Sequence, residues 1–292
     1  MQIAITGATG FVGQQLIRAA VLRGHEIVAF TRDPSREVEE CIETRRFSLA
    51  EPPDLSGCEA VVHLAGESIL GLWTGAKMRR IRESRTLGTQ RIVEAIAALA
   101  EPPEVFVCAS AIGYYGDRGE EQLTELSPPG TGFLAETCVA WENAAQRAES
   151  HCRVVRARSG LVLGMGGGAL PMLRRLFRLA LGAQLGHGRQ WMSWIHTLDL
   201  ARLLLFAVED LDVRGPLNAT APWPVRNADF TRALALSLHR PALLRVPAFA
   251  LRLLLRGFAD ELLHSKRVLP AAAIEHGFGF RCGKIAEGLM VD

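Results

Sequence analysis

Over the N-terminal half of the chain, short apolar runs alternate with longer stretches in which apolar residues recur every three or four positions. The runs at 3–6, 27–30, 60–67, 105–110 and 153–159 predict buried strands, with a weaker signal at 46–49 inside a polar, Pro-containing stretch. The segments at 14–20, 77–98 and 134–148 predict helices; in the second, Met78, Ile81, Ile92, Val93 and Ile96 mark one face. Strands alternating with helices in this way build right-handed βαβ units and a parallel sheet. From residue 164 the rhythm changes. Gly166-Gly167-Gly168 opens a loop, a basic amphipathic helix is predicted over 170–181 and another helix over 200–208. A late strand follows at 215–219, and mostly helix from 225 onward.

The expected fold class is therefore α/β: a Rossmann-type doubly wound parallel sheet with a smaller, mainly helical C-terminal domain. The expected division assigns 1–163, completed by 193–221, to the sheet domain, and 164–192 with 222–292 to the smaller one. The first strand runs directly into Gly7-Ala8-Thr9-Gly10-Phe11-Val12-Gly13 and then into a helix. That context gives a glycine pattern its meaning: Gly7 for a tight turn, Gly10 for approach of a pyrophosphate, Gly13 for close helix–strand contact. A helix start also offers unpaired N–H groups and a partial positive charge. The spacing is GxxGxxG, not GxGxxG. Past the second strand stand Thr31 and Arg32, with Arg36 nearby. An acidic residue here accepts from a ribose hydroxyl, whereas an arginine pairs with a 2′-phosphate, so NADP(H) is the expected cofactor.

Composition removes several classes. Hydrophobic residues make up 49% of the 292 and charged residues 22%, which is ordinary for a folded enzyme and unlike a disordered chain. A formal net charge of +2 makes no case for nucleic acid or an anionic membrane as partner. The six cysteines show neither C-x-x-C pairs nor Cys/His metal spacing, so no metal site is expected and a reducing compartment fits. Met1 leads straight into the first strand, which leaves no room for a signal peptide, and no apolar run reaches membrane-spanning length. A cytoplasmic location is expected. The amphipathic helices at 77–98 and 134–148 leave room for a homodimer paired through helices.

Four motifs together carry a resemblance: Gly7-x-x-Gly10-x-x-Gly13, Leu64-Ala65-Gly66-Glu67, Ser110-Ala111-Ile112-Gly113-Tyr114-Tyr115-Gly116, and Trp194-Ile195-His196-x-x-Asp199. The chain resembles the extended short-chain dehydrogenase/reductase superfamily, and within it the atypical "epimerase family protein" branch related to nucleotide-sugar epimerases. Further stretches of likeness, at 73–89, 133–142 and 240–278, extend it over nearly the whole length. The resemblance implies a domain binding NADP(H) under a smaller C-terminal domain. It places Gly7, Gly10, Phe11, Val12 and Gly13 at the pyrophosphate and Thr31 and Arg32 at the 2′-phosphate. Leu64, Ala65 and Gly66 fall on the adenosine side, and Arg85 approaches the cofactor from its helix.

The chain departs from the superfamily at the acid/base. Typical members carry a Tyr and a Lys four residues apart on the helix after the Ser-bearing strand. Aligned on Glu142, this chain has Leu134 and Cys138 at those positions; its only tyrosines are Tyr114 and Tyr115, and no lysine occurs between Lys77 and Lys266. Two readings stand. In one, the protein is an oxidoreductase or epimerase acting on an unidentified small molecule, with Ser110 polarising a carbonyl and Tyr115 donating a proton. Against these roles stand a strand-end hydroxyl that satisfies local backbone and a structural Tyr-Gly turn. Glu67 and Glu136 are further carboxylates, and His63 fits a packed strand residue better than a ligand. In the other reading the protein binds NADP(H) without turnover, as a redox sensor or scaffold.

Overall fold

The computed structural model describes residues 1–35 and 37–290; Arg36, a second candidate for the 2′-phosphate, lies outside the described residues. Among them, seven strands form one parallel sheet: β1 (Gln2–Thr6), β2 (Glu26–Thr31), β3 (Glu43–Arg46), β4 (Ala60–His63), β5 (Val105–Ala111), β6 (Arg153–Ser159) and β7 (Gly215–Ala219). Their spatial order is β7-β6-β5-β4-β1-β2-β3. The order reverses direction between β1 and β4, and at such a switch point an open α/β sheet leaves a crevice at its C-terminal edge. The central strands β1, β2, β4 and β5 are Val-, Ile- and Ala-rich and buried on both faces, as a sheet covered by helices on either side requires.

One face is covered by α1 (Phe11–Val21) and, later in the chain, by the helix Thr197–Glu209; Leu16, Ile17, Leu200 and Leu204 pack there on Ile3, Ile5 and Val107. The other face is covered by α2 (Gly75–Ala98) and α3 (Phe133–Gln146), whose Ile92, Ile96, Trp141 and Ala145 meet Val28, Val61 and Phe106. A separate core, built on Trp194, Phe177, Phe230 and Leu234, lies under α4 (Leu170–Arg178) and the helix Asn227–Ser237. With Thr197–Glu209 and Asn227–Ser237 as α5 and α6, the C-terminal segment adds α7 (Ala248–Leu255) and α8 (Gly257–Leu263).

Three boundaries differ from the hydrophobic pattern, each for a local reason. The run at 60–67 leaves the sheet after His63: the Leu64 amide is shared between the Thr6 carbonyl and hydroxyl, at 3.2 and 3.1 Å, and the Ala65 amide turns to the Thr6 hydroxyl at 3.2 Å. The third strand lies at Glu43–Arg46, earlier than 46–49. It is an edge strand paired only with β2, so it stays polar and half-exposed. The helix expected to reach 181 stops at Arg178: Ala180 adopts φ 58° and the Leu181 amide folds back on the Leu176 carbonyl.

The C-terminal segment does not stay in its own lobe. Ala273 and Phe278 are packed into the core of the sheet domain, with the Phe278 ring 5.5 Å from that of Phe206. Asp199, fully buried on α5, anchors this return: it accepts from the amides of Arg281 at 3.0 Å and Cys282 at 2.8 Å and from Arg202 at 2.8 Å. Asp199→Ala leaves those amides without an acceptor, so it is expected to cost about 2 kcal/mol, as buried donors do when unpaired. Urea unfolding measures the loss, and limited proteolysis should show cutting first near 276–284.

Candidate functional site

The crevice is built upward from the β1–α1 turn. Gly7 sits at φ 71°, a conformation that L side chains avoid, and its carbonyl accepts the Gly10 amide at 2.9 Å. Gly10 caps α1 with no side chain engaged. A Cβ on Gly13 would stand 2.3 Å from the Gly7 carbonyl oxygen and 2.9 Å from that of Ala8, so only glycine lets the helix lie this close. The result is a helix start with open N–H groups facing the crevice. Phe11 is seated under the loop that the sequence marks only as glycine-rich. A Cβ at Gly164 or Gly167 would come within 2.8 Å of the Phe11 side chain.

The end of β4 closes the other side. A Cβ on Gly7 would lie 3.0 Å from the Ala65 nitrogen, which puts the two glycine-lined edges in contact. Thr6 Oγ1 accepts the Leu64 and Ala65 amides and lies 2.6 Å from His63 Nδ1, so its one proton goes to the imidazole and the ring is neutral. Burial pushes the His63 pKa from 6.5 down to about 3. His63 is thus a packed residue that positions Thr6. At the end of β2, Thr31 Oγ1 donates to the Asp33 carbonyl at 2.8 Å and Arg32 is exposed. The Asp33 carboxylate accepts from the Ser35 amide and hydroxyl, at 3.2 and 2.6 Å.

Arg85, on α2, lies against Gly66 and beneath the Trp141 ring, 5.1 Å from its centroid. Its Nη1 donates to the carbonyls of Glu67 and Ile81 at 3.0 and 3.1 Å, and burial lowers its pKa. Glu67 is engaged by Lys77 at 2.7 Å, and that hydrogen bond holds its pKa below the usual carboxylate range.

Ser110 and Tyr115 are brought into one buried network. Ser110 Oγ donates to Glu142 Oε1 at 2.7 Å. Glu142 takes both Nε and Nη2 of Arg158 at 2.8 Å, each side chain only 4% exposed. The Tyr115 hydroxyl accepts from Arg158 Nη1 at 2.9 Å and lies 2.6 Å from Asn218 Oδ1 and 3.0 Å from the Thr124 carbonyl. Its ring is fully buried, and burial pushes its pKa to about 12 against the pull of Arg158. This placement differs from what a proton donor requires, which is a hydroxyl open to substrate with a pKa near the working pH. The tyrosine instead ties β6 and β7 to the loop after β5.

The opening that remains beside the crevice is a cleft of about 190 Å³ between α3 and the C-terminal helices. Trp73, Phe133 and Leu134 give it an apolar wall, and Gly113, Glu261 and His264 complete it. Leu134 and Cys138 face Gly113: a Cβ there would lie 3.2 Å from Leu134 Cβ and 3.7 Å from Cys138 Sγ. Burial pushes the Cys138 thiol to about 12, with the charges of Glu142 and Glu261 adding to it, so it is no nucleophile. Glu261 is bound at 2.6 Å by Lys266, whose side chain is 4% exposed. Sequence reasoning missed this pair. Its one signal was a lysine, one of three in a chain that otherwise uses arginine. Gln190, Ser193 and Trp194 are buried, and Trp194 Nε1 donates to the Trp223 carbonyl.

Comparison with known proteins agrees with this architecture. The model of the NAD dependent epimerase/dehydratase family matches residues 3–219, and a domain of unknown function, DUF1731, matches 246–290. Epimerase family protein ML0860 of Mycobacterium leprae is 38% identical over 290 residues, covering 98% of this chain and 94% of its own. Epimerase family protein YfhF of Bacillus subtilis is 36% identical, covering 96% and 94%. The crystal structure of human epimerase family protein SDR39U1 (isoform 2) with NADPH superposes with a TM-score of 0.92 at 31% identity, covering 99% and 98%.

The neutral, buried His63 has a consequence for stability. Its folded pKa of about 3 lies below the ordinary 6.5, so as pH falls the unfolded chain takes up the proton first. The contribution is whole above about pH 6.5 and drains toward pH 3, at on the order of 1 kcal/mol per pH unit. His63→Asn, which can still accept from Thr6, should flatten that slope in unfolding curves taken between these limits.

Proposed function

The chain belongs to the NAD dependent epimerase/dehydratase family, and from that premise we propose that it is an NADP(H)-dependent oxidoreductase or epimerase-type enzyme acting on a small molecule. The observation that carries this is the turn at Gly7, Gly10 and Gly13, where a Cβ would meet backbone at 3.0 Å or less, so that α1 starts tight on the turn with its N–H groups open to a diphosphate. Gly7, Gly10, Phe11, Val12 and Gly13 hold the pyrophosphate; Leu64, Ala65 and Gly66 flank the adenosine side; Arg85 reaches the cofactor from α2. Thr31 and the exposed Arg32 select the 2′-phosphate, supported by Asp33 being turned toward Ser35 and so withdrawn from a ribose hydroxyl. When bound, the cofactor supplies hydride chemistry.

The chain's own residues must then orient a carbonyl or hydroxyl and move one proton. We assign that proton to Glu261. Its carboxylate borders the cleft, Lys266 holds it in place, and it accepts the hydroxyl proton of an alcohol as the carbonyl forms, or returns it in the reverse direction. Ser110 orients the carbonyl side through its bond to Glu142, and Tyr115 serves as a structural strut. The sheet domain binds the cofactor and the segments 164–192 and 222–292 shape the substrate side. A homodimer through the outward faces of α2 and α3, and a cytoplasmic location, complete this proposal. Among the described residues no helix is long and apolar enough to cross a membrane.

A second, non-catalytic role as an NADP(H) sensor or scaffold is favoured by one observation: the hydroxyls of Ser110 and Tyr115 are both engaged within the fold. Two measurements decide. In calorimetry, Arg32→Ala is expected to weaken NADPH by on the order of tenfold or more while leaving NADH unchanged, since only the former loses a charge-assisted phosphate contact. With NADPH and a panel of carbonyl compounds, the enzyme oxidises cofactor in a substrate-dependent way, and Glu261→Gln lowers kcat by about a hundredfold with little change in NADPH affinity. Tight NADPH binding without oxidation across the panel would establish the sensor role.

A further inference from the structure

The net charge of +2 conceals a segregation. Residues 164–192 and 222–292 hold fourteen Lys and Arg against six Asp and Glu, whereas the rest of the chain holds nineteen against twenty-five. No acidic residue occurs from Leu161 to Leu198, nor from Phe230 to Ala259. Both acid-free stretches meet in space. Strand Ala183–Leu185, which follows α4, pairs in parallel with Leu244–Val246, which precedes α7, in the register Ala183↔Leu244. The chain leaving α4 therefore runs beside Leu243, and α7 begins directly beyond.

This junction is apolar where it meets water. Leu243 is 86% exposed, Leu253 79% and Phe249 74%, and Leu179, Leu181 and Leu254 are exposed beside them. Six large apolar side chains this exposed, on elements joined by one strand pair, exceed the scattered singles of an ordinary surface. Around them Arg175, Arg178, Arg240, Arg245 and Arg256 are exposed and make no ion pair among the described residues; Arg252 alone meets an acid, Asp260, at 3.0 Å. A shallow groove of about 420 Å³ runs between Leu236, Arg240, Leu243 and Arg245.

We propose that this face docks on an anionic lipid surface, with the leucines and Phe249 entering the headgroup–acyl boundary and the arginines pairing with lipid phosphates. Protruding leucines flanked by unpaired guanidiniums are the chemistry of an interfacial, non-spanning contact. A second copy fits poorly, because it would set two acid-free arginine clusters against each other. The expectation of no membrane partner rested on net charge, and among the described residues no helix is long and apolar enough to cross a membrane; this proposal of a surface contact departs from that expectation on the distribution of the charge. The proposal stands apart from the cofactor site, and none of these residues belongs to it.

The test is co-sedimentation of the full chain with vesicles of phosphatidylcholine alone or mixed with phosphatidylglycerol. Sedimentation with the mixed vesicles, falling at high salt, is expected. Arg240→Glu with Arg245→Glu, and separately Leu253→Asp with Leu254→Asp, should each lower binding by on the order of tenfold or more. Thermal midpoint and NADPH affinity should stay unchanged. Equal partition onto both vesicle types, no partition onto either, or indifference to both variant pairs overturns the proposal. So does a concentration-dependent dimer that the same variants abolish, which would give the face to a second copy.

Discussion

One steric constraint underlies the rest: the first helix must rest on the carbonyl oxygens of the turn before it. At 2.3 Å from the Gly7 oxygen there is no room for any side chain at position 13. That contact sets the angle of α1, brings its open N–H groups to the sheet edge, and leaves the end of β4 free to lie against Gly7. Thr6 then completes the junction by satisfying two amides with one hydroxyl, and a neutral imidazole receives its proton.

A second constraint is electrostatic. Arg158 and Glu142 form a two-point ion pair almost wholly removed from water, an arrangement that is stable only if every remaining donor and acceptor is satisfied. Ser110, Tyr115 and Asn218 meet that need. The hydroxyls of Ser110 and Tyr115 are thus both engaged within the fold. Both carboxylates bordering the cleft, Asp260 and Glu261, come from the C-terminal segment, on α8 and not on α3.

The same C-terminal segment also links three surfaces. It closes the cleft through Gly257, Asp260 and Glu261, returns to the sheet core through Ala273 and Phe278, and carries the exposed leucines and arginines of α7. Its two faces differ sharply in polarity because one is covered by the sheet domain and the other is not.

The pattern of residues determined much: six of the seven sheet strands, the principal helices and the glycine turn were legible, because backbone conformation and burial on a parallel sheet are local demands on residue type. The resemblance to a known family was legible for the same reason, in motifs of contiguous residues. Tertiary structure decided which polar groups are free. Glu142 and Arg158 are 16 positions apart, Tyr115 and Asn218 are 103, and Glu261 reaches a cleft walled by residues more than a hundred positions earlier. Whether a hydroxyl acts or merely holds depends on what fills its hydrogen-bonding capacity, and partners that far apart along the chain are set only by the folded backbone.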